Sequence, residues 1–215
     1  MSDTPVLSVR DLEVEFDTYG GKVRAVRGVS YDVFAGETLA VVGESGCGKS
    51  VTVQAIMGLI PMPPGRIVNG SATLLGKELV GLDQQQLNRV RGADMGMIFQ
   101  DPMTSLNPTM RIGDQIAETL IVHRGLSQEE GFREAVRLLE RTRIPEASQR
   151  VRQYPFEFSG GMLQRVMIAM SLACTPRLLI ADEPTTALDV TIQDQVLDLM
   201  KEIQREDQMA IVLIT

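Results

Sequence analysis

Gly43-Glu44-Ser45-Gly46-Cys47-Gly48-Lys49-Ser50 restricts this chain's fold more than any other stretch. It fits the spacing G-x-x-x-x-G-K-[ST], with an apolar run, Thr38–Val42, before it and a helical pattern, Ser50–Leu59, after it. A loop of this kind must turn its N–H groups inward onto phosphate oxygens. Gly43, Gly46 and Gly48 permit backbone angles and close approaches that a Cβ would block. Glu44, Ser45 and Cys47 contribute main-chain donors to the same loop. The helix starting near Lys49 adds unpaired N–H groups and the positive end of its dipole. Lys49 supplies a point charge for β- and γ-phosphates, and Ser50 a hydroxyl for Mg2+. Cys47, near a helix N-terminus, is read as a small residue in a variable slot.

Two further stretches carry chemistry. Leu178-Leu179-Ile180-Ala181-Asp182-Glu183 is an apolar strand ending in two carboxylates. Such a strand delivers Asp182 to the C-terminal edge of a sheet, where open α/β folds bind ligands and where it can hold Mg2+. Glu183 can then face a terminal phosphate and polarise a water, the metal relieving repulsion between the neighbouring acids. Phe158-Ser159-Gly160-Gly161-Met162 opens a helix that runs to about Ala173, so Ser159, Gly160 and Gly161 form a second anion-binding N-terminus. One nucleotide cannot easily use both devices from the same subunit, which points to a dimer in which each copy completes the other's site.

The rest of the chain alternates around these stretches. Leu7–Phe16 alternates apolar and polar residues with one slip at Asp11, and Ala25–Val33 returns as a second strand, giving an antiparallel opening. Thr38–Val42 is continuously apolar and is expected to be covered on both faces. Arg66–Leu75 and Met95–Phe99 read as short strands. From Ile112 to Ala173 the pattern is mostly helical, then come the strand Leu178–Ala181, an amphipathic helix Thr191–Arg205 and the strand Ile211–Ile214. Strands and helices at both ends of a helical insert predict an α/β domain with a helical subdomain over about 102–173.

Composition narrows the class. A length of 215 residues with 44% apolar residues suits one core-building domain. The start, Met1-Ser2-Asp3-Thr4-Pro5, lacks a signal-peptide pattern, and no apolar run approaches the ~20 residues of a membrane span. The expectation is a soluble, cytoplasmic chain. Cys47 and Cys174 give neither a disulfide framework nor a metal spacing, and a net charge of −7 argues against a broad nucleic-acid face. His123, the single histidine, lies far in sequence from every motif and is read as a surface or packing residue.

Together these stretches resemble the ATPase subunit of ABC (ATP-binding cassette) transporters. Gly43–Ser50 looks like Walker A, Leu178–Asp182 with Glu183 like Walker B plus the catalytic glutamate, and Phe158–Met162 with Gln164 like the signature, with Phe and Met replacing its commonest Leu and Gln. Gln100 looks like the Q-loop, and Thr186-Ala187-Leu188-Asp189 like the D-loop. Phe16 is similar to the aromatic that stacks on adenine, with Tyr19 a weaker candidate, though Phe16 reads nearly as well as an ordinary core residue. Gln100–Pro108, Ala181–Thr191, Gln164–Met170 and Ile56–Leu59 look like the oligopeptide/dipeptide/nickel importer branch. Phe156 departs from the histidine that relatives commonly carry before the signature.

The resemblance implies a P-loop NTPase of the ABC type whose cofactors are ATP and Mg2+. Lys49, Gln100 and Glu183 would be catalytic, and Ser50, Gln100 and Asp182 would arrange the metal. Phe16, the loop Gly43–Ser50, Ser159, Gly160, Gly161 and Asp189 would contact nucleotide. It implies a peripheral protein on the cytoplasmic face of a bacterial inner membrane, energising uptake of oligopeptides or dipeptides, or else of nickel or another small solute. The implied partners are a second ATPase subunit, identical or, as is usual in relatives, non-identical, together with two transmembrane permease subunits and an extracytoplasmic substrate-binding protein. Soluble ABC ATPases of translation or DNA repair carry tandem cassettes or coiled coils that this chain lacks, and a P-loop kinase would not need Ser159–Gly161. Ile211–Thr215 stops in mid-element. In the family a switch histidine follows this strand directly, so the expectation is an ATPase domain truncated at its C-terminus, able to bind Mg2+-ATP and poor at hydrolysing it.

Overall fold

A hairpin opens the chain because alternating apolar residues on two neighbouring segments can bury one common face. In a computed structural model, which describes residues 4–186 and 188–215, β1 (Leu7–Thr18) and β2 (Gly21–Val33) pair antiparallel. Met1–Asp3 of the polar start and Ala187 of the Thr186–Asp189 stretch lie outside the described residues. The slip at Asp11 is a bulge. Asp11 adopts φ +45°, the register shifts between Val9 and Leu12, and the Asp11 N–H donates to Ser30 Oγ at 2.8 Å. The extra residue keeps Leu7, Val9, Leu12 and Val14 on one buried face. β4 (Gly65–Leu74) pairs with β1, and β5 (Lys77–Glu78) with β4, giving the order β2-β1-β4-β5.

The second sheet is parallel, in the order β3-β8-β7-β6: β3 (Thr38–Val41), β8 (Ala210–Ile214), β7 (Leu178–Asp182) and β6 (Met95–Ile98). It divides two cores by strand periodicity alone. Leu178, Ile180, Ala210, Val212, Ile214, Met95 and Met97 face the antiparallel sheet and α1 (Lys49–Ile56). Leu179, Ala181, Ile211 and Ile98 face the opposite way, against helices. A strand covered on both faces needs a continuous apolar run, which β7 has. Truncating Ile180 to alanine removes packing from a fully buried site and costs about 2–5 kcal/mol.

The expectation for Thr38–Val42 does not hold. Among the described residues β3 pairs with β8 alone, Thr38 and Ala40 are exposed, and Val42 just beyond it is 76% exposed. A short apolar run is the same in a central and an edge position; topology decides which it is.

Between β6 and β7 the chain is helical: α3 (Pro102–Ser105), α4 (Ile112–Arg124), α5 (Gln128–Arg141), α6 (Ala147–Arg150) and α7 (Gly160–Ser171). α8 (Val190–Asp207) buries Val196, Leu199, Met200 and Ile203 at helical spacing against the same core. α2 (Gln84–Val90) escaped the sequence reading although it carries a signal: Asp83 and Gln86 form a reciprocal capping box. Among the described residues no helix is long and apolar enough to cross a membrane.

Candidate active site

β3 ends at Val41, the loop follows, and α1 starts at Lys49 with Gly48 as its cap. Gly48 has φ +96°, and a Cβ there would stand 2.2 Å from the Ala25 carbonyl oxygen. Both backbone angle and space therefore require glycine. The loop is pressed onto β2, a neighbour that the motif itself does not name. The first turn of α1 leaves its N–H groups without helical acceptors, aimed along the dipole's positive end.

Lys49 is buried and folded back on its own loop. Its Nζ donates to the carbonyl oxygens of Gly43 at 2.5 Å and Glu44 at 3.0 Å. Both acceptors are neutral, so an incoming phosphate offers the ammonium a better partner. Next along α1, Ser50 Oγ donates to Asp182 Oδ1 at 2.8 Å, joining residues 132 apart in sequence. Asp182 ends β7 and is 7% exposed. Burial pushes its carboxyl above the usual range; the Ser50 hydrogen bond opposes this, the Glu183 charge adds to it, and Lys49 opposes it.

Glu183, one residue on, leaves the sheet with φ +47°, a strained angle for a residue with a side chain, and its N–H donates to Ile214 O at 3.1 Å. Its Oε2 accepts from Gln100 Nε2 at 2.9 Å and from Thr186 Oγ1 at 3.2 Å. A cavity of about 230 Å³ collects Ala25, Ser45, Gly46, Gly48, Lys49, Ser50, Val51, Gln100 and Glu183. The loop, Asp182, Glu183 and Gln100, separate in sequence, are thus one site. Thr186 belongs to this group too, and the sequence reading assigned it no role of its own. The pattern Glu-Pro-Thr-Thr was the available signal, since Pro184 favours a tight turn that returns Thr186 towards Glu183.

The oxygen donors Ser50 Oγ, Asp182 and Gln100 suit a hard cation such as Mg2+, which takes one or two carboxylates plus substrate phosphates. A carboxyl pushed up by burial, with a hydroxyl already against it, is a place where a cation would replace a costly arrangement. The residues fit the metal that the motif implies.

The Ser159 turn is built differently. Ser159 caps α7 and makes no side-chain capping bond, and Ser159 and Gly160 are exposed. A Cβ on Gly160 would meet only open space, whereas one on Gly161 would stand 2.8 Å from Ile192 Cγ2 in the first turn of α8. Gln164 is buried behind the turn. Asp189 caps α8 through its carbonyl, which accepts from Ile192 and Gln193 N–H at 2.9 Å, and its side chain makes no capping bond. None of these residues lines the 230 Å³ cavity.

Other candidates fall elsewhere. Phe16 packs partly into the core with its ring against Gly65, and it lines neither the small cavity nor a larger cleft of about 940 Å³ that shares Gly46–Lys49 and runs between β2 and β3. Its pairing partner Val23 does line that cleft. Tyr19 is fully exposed. Cys47 is an exposed free thiol beside Gly43. His123 packs its ring onto Gly92, and Phe156 is exposed and stacked on Tyr154 with centroids 5.6 Å apart.

A family model described as ABC transporter matches residues 26–186. The oligopeptide transport ATP-binding protein OppD of Bacillus subtilis is 58% identical over 99% of this chain and 59% of its own length. The dipeptide transport ATP-binding protein DppD of the same organism is 54% identical over 98% of this chain and 63% of its own. OppD of Escherichia coli is 54% identical over 98% and 62%. The chain thus spans about three fifths of the length of the curated relatives it matches. Among solved structures, the dimeric ATP-binding cassette MJ0796 in a post-hydrolysis state bound to ADP and Pi superposes with a TM-score of 0.85 at 27% identity, covering 97% of this chain and 87% of that one. Two sheets, a glycine-lined loop meeting an acidic strand end, and a match over three quarters of the sequence agree: the chain belongs to the ABC transporter family.

Proposed function

We propose that this chain binds Mg2+-ATP and hydrolyses it as the motor of a bacterial peptide importer. One observation carries the chemistry. Ser50 with Asp182, and Gln100 with Glu183, meet around the loop cavity, so groups fit for phosphate, metal and water lie within one small volume. The peptide assignment rests on relatives named for oligopeptide and dipeptide transport.

In this reading Lys49 leaves the Gly43 and Glu44 carbonyls for the phosphates, while the loop and α1 N–H groups hold the β-phosphate. Ser50, Asp182 and Gln100 would hold Mg2+, which would supply positive charge against the phosphates. Glu183 takes the proton from the attacking water. Phosphoryl transfer asks little covalent work of the protein, so positioning and charge govern the rate. Ser159, Gly160 and Gly161 reach the γ-phosphate bound by a second ATPase subunit, non-identical in the cell, with Asp189 alongside. Closure of this dimer gates hydrolysis, and the helical unit over about 102–173, with Gln100, passes closure to two permease subunits on the cytoplasmic face of the membrane. An extracytoplasmic binding protein delivers the peptide, and no nucleic acid takes part.

The test is uptake of a labelled peptide by cells carrying the full-length protein with Lys49→Ala. Loss of peptide uptake supports the reading. Loss of nickel uptake with peptide uptake intact would replace peptide by a metal solute, and unchanged uptake of both would remove the importer assignment.

A further inference from the structure

Glu183 is the group asked to take a proton, so whatever fixes its side chain sets the rate. Its backbone enters a tight turn, Glu183-Pro184-Thr185-Thr186, closed by the Thr186 N–H on the Glu183 carbonyl at 3.3 Å. Proline presets the second position of such a turn, and the turn returns the fourth residue to the side of the first. The Thr186 hydroxyl then donates to Glu183 Oε2 at 3.2 Å. Gln100 Nε2 donates to the same oxygen at 2.9 Å, and Oε1 accepts no hydrogen bond from the described residues. One carboxylate oxygen is anchored and the other is free.

The two donors differ in permanence. Gln100 follows β6, the strand paired with β7, and the proposed function takes it to the metal. Thr186 belongs to the same turn as Glu183 and stays. The side chain is exposed, so it adds nothing to the core.

Resting on the ATPase reading, we propose that Thr186 is a positioning residue that holds Glu183 Oε2, leaving Oε1 to receive the proton from water. A hydroxyl hydrogen bond to a charged acceptor is worth enough to make its loss roughly tenfold in rate. Threonine and valine share a shape, so Thr186→Val removes the hydroxyl and little else, and Thr186→Ser keeps it.

The experiment measures kcat, KM and equilibrium Mg2+-ATP affinity in the full-length protein, together with a crystal structure of the valine variant. Thr186→Val is expected to lower kcat about tenfold with KM and affinity unchanged, to displace the Glu183 side chain, and to be rescued by Thr186→Ser to within about twofold. Wild-type kcat in the valine variant, a fall in affinity matching the fall in kcat, or a serine variant as slow as the valine variant would each overturn the proposal. If the wild-type protein binds Mg2+-ATP without hydrolysing it, the hydrolytic reading fails on its own. The Glu183 rotamer in Thr186→Val still decides the positioning role, an unmoved side chain overturning it.

Discussion

On the proposed reading, the loop at Gly43–Ser50 and the turn at Ser159–Gly161 answer the same demand, an anion at a helix N-terminus, in opposite ways. Around the loop three polar side chains are already engaged: Lys49 with two carbonyls, Ser50 with Asp182, and Glu183 with Gln100 and Thr186. Around the turn Ser159 makes no capping bond and Gly160 faces open space. A site whose parts bind one another waits for a ligand that can displace them. A turn left bare waits for something brought from outside. On that reading the first arrangement builds selectivity, since only a strongly charged ligand outcompetes the internal bonds, and the second would build dependence on a partner.

The largest blow to this contrast falls on the first site. Glu183→Gln is expected to cut turnover by roughly 10²–10⁴-fold with Mg2+-ATP still bound, as for a lost general base. Single-turnover hydrolysis and equilibrium binding check it, and near-normal turnover removes Glu183 from the role. Gly48→Ala places a Cβ against Ala25 O at a forbidden angle. Strain of about 1–3 kcal/mol should weaken nucleotide binding roughly 5- to 150-fold, measured by titration; an unchanged affinity would mean that the loop tolerates movement away from β2. Alkylating Cys47 should block binding by bulk, less severely because the thiol is exposed, with ATP protecting; a modified thiol with intact affinity refutes that.

The mildest test compares the two glycines of the turn. Gly161→Ala meets Ile192 and should cost about 1–3 kcal/mol of stability by overpacking. Gly160→Ala should leave stability within about 0.5 kcal/mol yet slow hydrolysis in the assembled dimer, because its side is the open one. Thermal melts and turnover, read together, separate the cases; equal turnover in Gly160→Ala would leave the turn without a partner's phosphate.

The sequence announced these two regions because each depends on main-chain geometry that few residues allow. Glycines at 46 and 48 and the Ser-Gly-Gly turn are visible for that reason, as is the unbroken apolar run of β7 before Asp182. What stayed hidden depends on packing between distant segments. Nothing in Gly48 or Ala25 says that they touch, nor in Gly161 and Ile192. The run Leu39–Val42 carries the apolar content of a central strand and sits at an edge, since strand order is a property of the whole chain. Pro184 signals the turn that holds Thr186, yet the hydrogen bond of its hydroxyl to Glu183 depends on where both side chains come to lie.

β3 has a practical consequence. Among the described residues β3 pairs with β8 on one side only, and β2 ends its own sheet, with Val23 and Val42 exposed beside them. Unpaired strand edges with apolar neighbours are templates for adventitious association. Dimers seen with these 215 residues in solution therefore need a control: assembly driven by nucleotide should vanish when ATP is withdrawn, whereas edge-to-edge aggregates should persist and grow with concentration.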